Sequence, residues 1–204
     1  MTDEQAVQQF EAFVQGQKPS SAPWRPVTDY SFEARKAIEG IHPQLIKDVF
    51  QPVRVLDVGC GPGKILVRLL KDIGVKAHGV DVQFDGDDYF NLAEVDHEGR
   101  WPFYSLVVCR EVLEHMAARD IPTAVRNLVG MASRYVYVTT RFAQAPTHLL
   151  SVDGHDDLDP THITMLTKPF LRTLFVLEGC KSRYDLEEKM DWQHKGRCLV
   201  MEVA

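Results

Sequence analysis

The run Asp57-Val58-Gly59-Cys60-Gly61-Pro62-Gly63 holds the residues whose types and spacing most constrain the chemistry of this chain. Glycines at alternate positions let a backbone approach a ligand where any Cβ would collide. Asp57 stands two residues before the first of them. Its carboxylate would repel a neighbouring pyrophosphate and suits a ligand that carries a cation, such as an amino-acid ammonium or a sulfonium. Dinucleotide-binding turns also place glycines after a first strand, but at G-x-G-x-x-G spacing rather than the G-x-G-x-G found here. Two further acids stand where strands are expected to end. Asp81, after 75–80, is placed to accept both hydroxyls of a ribose. Asp96, after 90–95, is placed to accept a hydrogen bond from the exocyclic amine of an adenine.

These acids need elements to hold them. Residues 53–58 read as a buried strand, and beyond the glycines Ile65, Leu66, Leu69, Leu70 and Ile73 recur at helical spacing. Further strands are expected at 75–81, 90–95, 104–109, 134–140, 180–186 and 197–203, and helices at 63–73, 120–131 and 167–178. Such alternation implies βαβ units and a mostly parallel sheet covered by helices on both faces. Only the charged stretch 187–195 separates the last two strands, so they are expected to form an antiparallel hairpin with no helix between them. The connection 141–166 is long, which points to a functional or mobile loop. Upstream, residues 2–16 read as a short amphipathic helix, followed by a proline-stiffened connector around Trp24. A second helix, capped by Ser31, is expected to run to about residue 50 and to be broken or kinked at Pro43. Residues 1–50 are therefore expected to form a helical cap or lid on a main domain at 51–204.

A chain of 204 residues is long enough for one domain with a full core. The formal net charge of -6 disfavours broad attachment to nucleic acid or to an anionic membrane. Cys60, Cys109, Cys180 and Cys198 are far apart, with no CxxC pair, which reads as reduced thiols in the cytoplasm rather than a disulfide framework or a zinc site. The polar, acidic start does not read as a secretory signal, and no apolar run is long enough to span a bilayer.

The glycine run, Asp81, Asp96 and the segment Val107-Val108-Cys109-Arg110-Glu111-Val112-Leu113-Glu114-His115 follow one another in an order that resembles class I S-adenosylmethionine-dependent methyltransferases. The resemblance covers roughly 53–178. It implies a Rossmann-like α/β fold whose seven-stranded, mostly parallel sheet ends in an antiparallel C-terminal hairpin, and a main domain that binds S-adenosyl-L-methionine. By this similarity Asp57, Gly59, Gly61 and Gly63 surround the methionine part of the cofactor, Asp81 takes the ribose, Asp96 the adenine end, and Glu111 lies near the methionine. Cys60, Val82 and Arg110 complete the expected cofactor-binding set. The family often carries an aspartate where this chain has Ser105, a variation at the strand's start that leaves its register less fixed.

The expected activity is methyl transfer to a small-molecule or sugar acceptor, at a hydroxyl oxygen. Asp159-Pro160-Thr161-His162-Ile163 resembles a segment that lies near the acceptor in many small-molecule and sugar-associated methyltransferases. His162 is accordingly the first candidate for a general base and His115 the second, since imidazole titrates near neutral pH. His115 serves equally well as a hydrogen-bonding prop, and Glu114 reads as a first-turn helix acid. Cys60 and Cys109 read as small packing residues rather than nucleophiles. The loop from Asp153 to His162 is dense in metal-ligand types, yet ordinary solvated loops share that composition, and no metal is expected. The alternatives are an RNA methyltransferase and a non-catalytic S-adenosylmethionine-binding protein. Base amino methylation is disfavoured because Cys109-Arg110-Glu111-Val112 stands where an Asn/Asp-Pro-Pro-aromatic motif would be. A small-molecule acceptor is the expected partner, with neither DNA nor a membrane.

Overall fold

A computed structural model describes residues 39–94, 103–143, 162–193 and 195–204. The expected helix at 2–16, the connector around Trp24, Asp96 and most of the ligand-rich loop (153–161) lie outside the described residues.

Strands β1 (Val55–Val58), β2 (Ala77–Val80), β3 (Tyr104–Arg110) and β4 (Ala132–Thr139) run parallel, and β5 (Lys181–Ser182) and β6 (Cys198–Glu202) close the sheet. The order is β2-β1-β3-β4-β6-β5, with β6 antiparallel to both of its neighbours. Among the described residues five helices cover it: α1 (His42–Phe50), α2 (Ile65–Asp72), α3 (Ile121–Met131), α4 (Lys168–Leu177) and α5 (Tyr184–Met190).

Alternation along the strands divides the interior in two. Leu56, Val107, Val136 and Leu199 face one side and pack with Leu128 of α3 and Phe175 of α4. Val55, Leu106, Val108 and Val200 face the other and pack with Ile46 of α1, Leu70 of α2 and Met190 of α5. Asp57, in step with Val55, and Arg110, in step with Val108, therefore belong to the α1–α2 side of the sheet.

Pro43 sits in the first turn of α1, where a missing N–H costs nothing, and this explains why the helix starts there rather than continuing unbroken. Ser105 stands where the family often has an aspartate. Its Oγ accepts from the amides of Val53 and Arg54 at 2.8 and 3.1 Å and donates to the Arg54 carbonyl at 3.0 Å, pinning the start of β1 to β3.

Two expectations are corrected. The described sheet has six strands, not seven, because 90–94 does not form one. Asp81 and Tyr89 make an isolated parallel bridge, after which the Asn91 side chain accepts from the Ala93 amide at 3.0 Å and turns the chain. The second correction concerns 180–186, whose strand stops at Ser182 and gives way to α5. Leu186 and Met190 bury one side of that helix. Glu187 is buried as well, because Arg172 grips it with two hydrogen bonds of 2.8 and 2.9 Å and Lys168 lies 3.0 Å away. The antiparallel pairing of the last two strands is as expected.

Candidate active site

The glycine bend leaves β1 at its carboxyl end. Gly59 and Gly61 both adopt left-handed conformations, with φ of 75° and 66°. At Gly59 a side chain is barred twice over, since a Cβ would also come within 2.3 Å of Val112 Cγ2. The bend's amides are spent internally. Gly59 and Cys60 donate to the Val80 carbonyl at 2.8 and 3.2 Å, and Gly61 donates to Asp81 Oδ2 at 2.9 Å. A phosphate cradle would keep such N–H groups for its anion. This bend instead ties itself to the end of β2 and presents the bare backbone of Gly59 and Gly61 as a wall.

A cavity opens on either side of that wall, and Gly59, Gly61 and Glu111 line both. The first, about 380 Å³, adds Glu39, Asp57, Cys60, Arg110, Tyr137 and Thr139. Here Arg110 forks onto Glu39 with two bonds of 2.9 Å and donates to His42 Nδ1 at 2.8 Å. That contact makes Nδ1 the acceptor, so Nε2 carries the proton and donates to Tyr137 Oη at 3.0 Å. Burial keeps His42 neutral by pushing its pKa down. Burial alone would raise Glu39, but the Arg110 guanidinium outweighs it and holds the carboxyl at about 2. Asp57 behaves in the opposite way. Burial pushes it up to about 7, with Arg110 pulling against the shift and Glu39 and Asp81 reinforcing it. The buried Arg110 Nε has no partner among the described residues. This side thus combines acids suited to an ammonium with a guanidinium N–H suited to a carboxylate, the two ends of an amino acid.

The second cavity, about 540 Å³, adds Asp81, Val82, Asn91, His115, Met116 and Ile163. Asp81 is buried at the tip of β2, its Oδ1 accepting from the Gln83 amide at 3.1 Å. Each carboxylate oxygen keeps a further lone pair for a ribose hydroxyl. Asn127 of α3 holds the wall carrying Leu92 and Ala93 by donating to the carbonyls of Leu92 and Glu94 at 2.9 and 3.0 Å.

Glu111 divides the two cavities and is itself strained, a non-glycine residue at φ 52°. Thr139 holds it there, since the Glu111 amide donates to the Thr139 carbonyl at 2.8 Å and Thr139 Oγ1 donates to Glu111 Oε1 at 3.0 Å. Glu114 follows as a first-turn acid of a single 3-10 turn, Leu113–His115, but is 1% exposed. Its main-chain carbonyl accepts from the amides of Ile163 and Thr164 at 2.9 and 3.0 Å. That clip brings His162 against His115, with ring centroids 4.6 Å apart.

Most of the expected site residues therefore converge. Asp57, Gly59, Cys60, Gly61, Arg110 and Glu111 line the first cavity, and Asp81, Val82 and His115 the second. His162 packs on His115 without lining either cavity, and neither does Gly63, which leads into α2. Glu39, His42 and Tyr137 were not expected at the site. Local spacing gives no sign of them, because Arg110 meets Glu39 across 71 positions.

A side-chain-free bend at the carboxyl ends of parallel strands, with ribose- and amino-acid-suited groups on its two sides, defines an enzyme that binds an adenosyl amino acid. A family model described as a methyltransferase domain matches residues 30–182, and the chain belongs to that family. It is an S-adenosylmethionine-dependent methyltransferase. Solved structures share its fold. A SAM-dependent methyltransferase from Archaeoglobus fulgidus aligns with a TM-score of 0.56 at 18% identity, covering 84% of this chain and 94% of that one. Magnesium protoporphyrin IX methyltransferase from Synechocystis PCC 6803, with bound SAH, aligns at 0.55 and 16% identity over 99% and 100% of the two chains. Human N-acetylserotonin methyltransferase in complex with SAM aligns at 0.55 and 10% identity, covering 84% of this chain and 54% of that one. A search of curated proteins finds no match. No helix of the described residues is long and apolar enough to cross a membrane.

Proposed function

We propose that this methyltransferase acts on a hydroxyl oxygen of a small-molecule or sugar acceptor, with the adenosyl group beside Asp81 and the methionine end reaching over Gly59 toward Asp57 and Arg110. One observation carries the acceptor reading: His115, on the cavity wall that also holds Asp81, has a second imidazole, His162, packed against it. Two titratable rings at that place suit an acceptor that must lose a proton.

When bound, S-adenosylmethionine supplies a methyl group already activated on a sulfonium. The protein's part is to orient, to exclude water and to manage the proton. Asp57 and Glu39 meet the ammonium, and Arg110 Nε meets the carboxylate. Gly59, which carries no Cβ, would let the cofactor lie close against the bend. With the cofactor so held, the cavity wall that carries His115 would hold the acceptor hydroxyl toward the activated methyl group. The hydroxyl proton leaves under control of the His115–His162 pair. Alignment of this kind is worth about 7–11 kcal/mol in favourable intramolecular cases. The four cysteines are free thiols, as suits the reducing cytoplasm in which we place the enzyme.

Calorimetry with S-adenosylhomocysteine tests the cofactor assignment. Binding at a hundredfold excess over Kd stabilises the fold by about 2.7 kcal/mol. Asp81→Ala is expected to weaken binding at least about tenfold, a loss of ~1.4 kcal/mol; unchanged affinity would remove the ribose role. Turnover and its pH profile surviving both His162→Ala and His115→Ala would remove the proton role.

A further inference from the structure

Glu114, His115 and His162 form a cluster that nothing in the cofactor chemistry uses. Each offers one ligand atom, and these atoms all lie within 4.8 Å of one another. The set is one carboxylate oxygen and two imidazole nitrogens. Such a mixed donor set suits a divalent first-row transition ion better than calcium or magnesium, which favour all-oxygen shells. Bonds of about 2.0–2.2 Å to one ion require donors roughly 3–3.5 Å apart, a closure that small side-chain rotations supply.

A second observation points to a ligand independently. Glu114 is 1% exposed, and its buried Oε1 has no hydrogen-bond partner among the described residues, while Oε2 accepts from Thr140 Oγ1 at 2.8 Å. A buried carboxylate oxygen without a donor is costly unless something cationic reaches it. Burial, and after it the like charge of Glu111, push the Glu114 carboxyl up to about 8. Among the described residues no ion pair joins an arginine or lysine to Glu114, whereas Arg110 pairs with Glu39. The clip of Ile163 and Thr164 onto the Glu114 carbonyl fixes the three donors in one place although 47 positions separate His115 from His162.

We infer that Glu114, His115 and His162 form a binding site for a divalent transition-metal cation at the acceptor end of the second cavity. Three protein ligands leave coordination positions open, as in catalytic rather than structural sites. An acceptor hydroxyl taking one of those positions would lose its proton more readily, through the Lewis acidity of the ion. The inference rests on the methyl-transfer reading and sharpens it: the two imidazoles serve as ligands, and the hydroxyl proton passes to solvent instead of to a histidine.

The test uses the full chain, stripped with chelator and titrated with Co2+ alone. Ligand-field absorption reports nitrogen and oxygen ligation, and calorimetry reports stoichiometry. One Co2+ per chain is expected, with affinity falling at least about tenfold in both Glu114→Gln and His162→Ala. S-adenosylhomocysteine binding is measured in parallel on each protein and is expected to persist. Absence of Co2+ binding, or binding equal in wild type and both variants, overturns the site. If S-adenosylhomocysteine still binds in that case, the methyltransferase reading stands without the metal. If Co2+ binds as expected and S-adenosylhomocysteine does not, the cation site stands and the cofactor placement fails. His162→Ala alters a partly exposed residue at the end of a loop, so it keeps the test decisive should Glu114→Gln fail to fold.

Discussion

Asp57 and Glu114 are buried carboxylates at the carboxyl edge of one sheet, 3% and 1% exposed, yet the protein treats them differently. Asp57 shares its side with Arg110, whose charge works against the burial that raises it to about 7. Glu114 is pushed up to about 8 by burial and by the like charge of Glu111, against hydrogen bonds from the backbone and Thr140. One acid has a resident cation nearby and the other has none among the described residues. The first region is built to meet a ligand that is both cationic and anionic, so it carries both signs itself. The second is built of acceptors alone, and its charge balance is left to a bound cation.

The contrast is most open to attack at Arg110. Arg110→Met would strand Glu39 and Asp57 together in a partly buried pocket and remove the donor that sets the His42 tautomer. Loss of one partner from a buried ion pair costs about 3–5 kcal/mol, and the residual exposure of Arg110 places this case near about 3. Denaturant unfolding measures it. A loss under about 1 kcal/mol would mean that the guanidinium does not balance this region.

The pH dependence of the ligand-free fold tests Asp57 next. Its native pKa, about 7, lies above the ordinary 3.8, so between those values the native state holds a proton the unfolded chain has released. Stability then falls as pH rises from about 4 to 7, by at most about 4 kcal/mol. Glu39 has the opposite sign. Its pKa is lowered from 4.5 to about 2, so its contribution is complete above 4.5 and is lost only on further acidification. Melting temperatures between pH 5 and 7 therefore report Asp57 without Glu39. In that window Asp57→Asn should decline less steeply than wild type, and parallel curves would contradict the burial argument.

How much of this was legible in the sequence depended on range. The strand, bend and helix from Val55 to Asp72 were readable because apolar spacing and glycine conformations are local. Asp81 fell at the tip of β2 for the same reason. The third strand was misread because the backbone-binding side chain of Asn91 turns a segment whose apolar residues suggest extension. The helix α5 was hidden because Glu187 looks solvated in sequence, whereas Arg172 and Lys168, 15 and 19 positions away, allow it to be buried. The same applies to Glu114. First-turn acids are usually exposed, and only the tertiary clip to Ile163 and Thr164 encloses this one. Nothing in local spacing announces Glu39 as the partner of Arg110.

Thr140 offers the smallest and sharpest comparison. Its hydroxyl is the one side-chain donor to Glu114 among the described hydrogen bonds, at 2.8 Å, and the Thr140 side chain is buried with it. Thr140→Val keeps the shape and removes the donor, leaving both Glu114 oxygens without a side-chain partner. A buried acceptor deprived of its donor costs about 1–3 kcal/mol, and a carboxyl already pushed toward its protonated form at neutral pH should sit near about 1. The variant should therefore lose clearly less stability than Arg110→Met, because an acid that can hold a proton needs its hydrogen bond less than a permanent charge needs its counterion. Co2+ stabilises any variant whose Glu114 site is intact, so it should narrow the gap between wild type and Thr140→Val and leave the gap to Arg110→Met unchanged, since only the Glu114 region is proposed to take a cation. Equal losses in the two variants, or equal rescue by the metal, would mean that the two sides of the bend differ in residue names and not in how they manage buried charge.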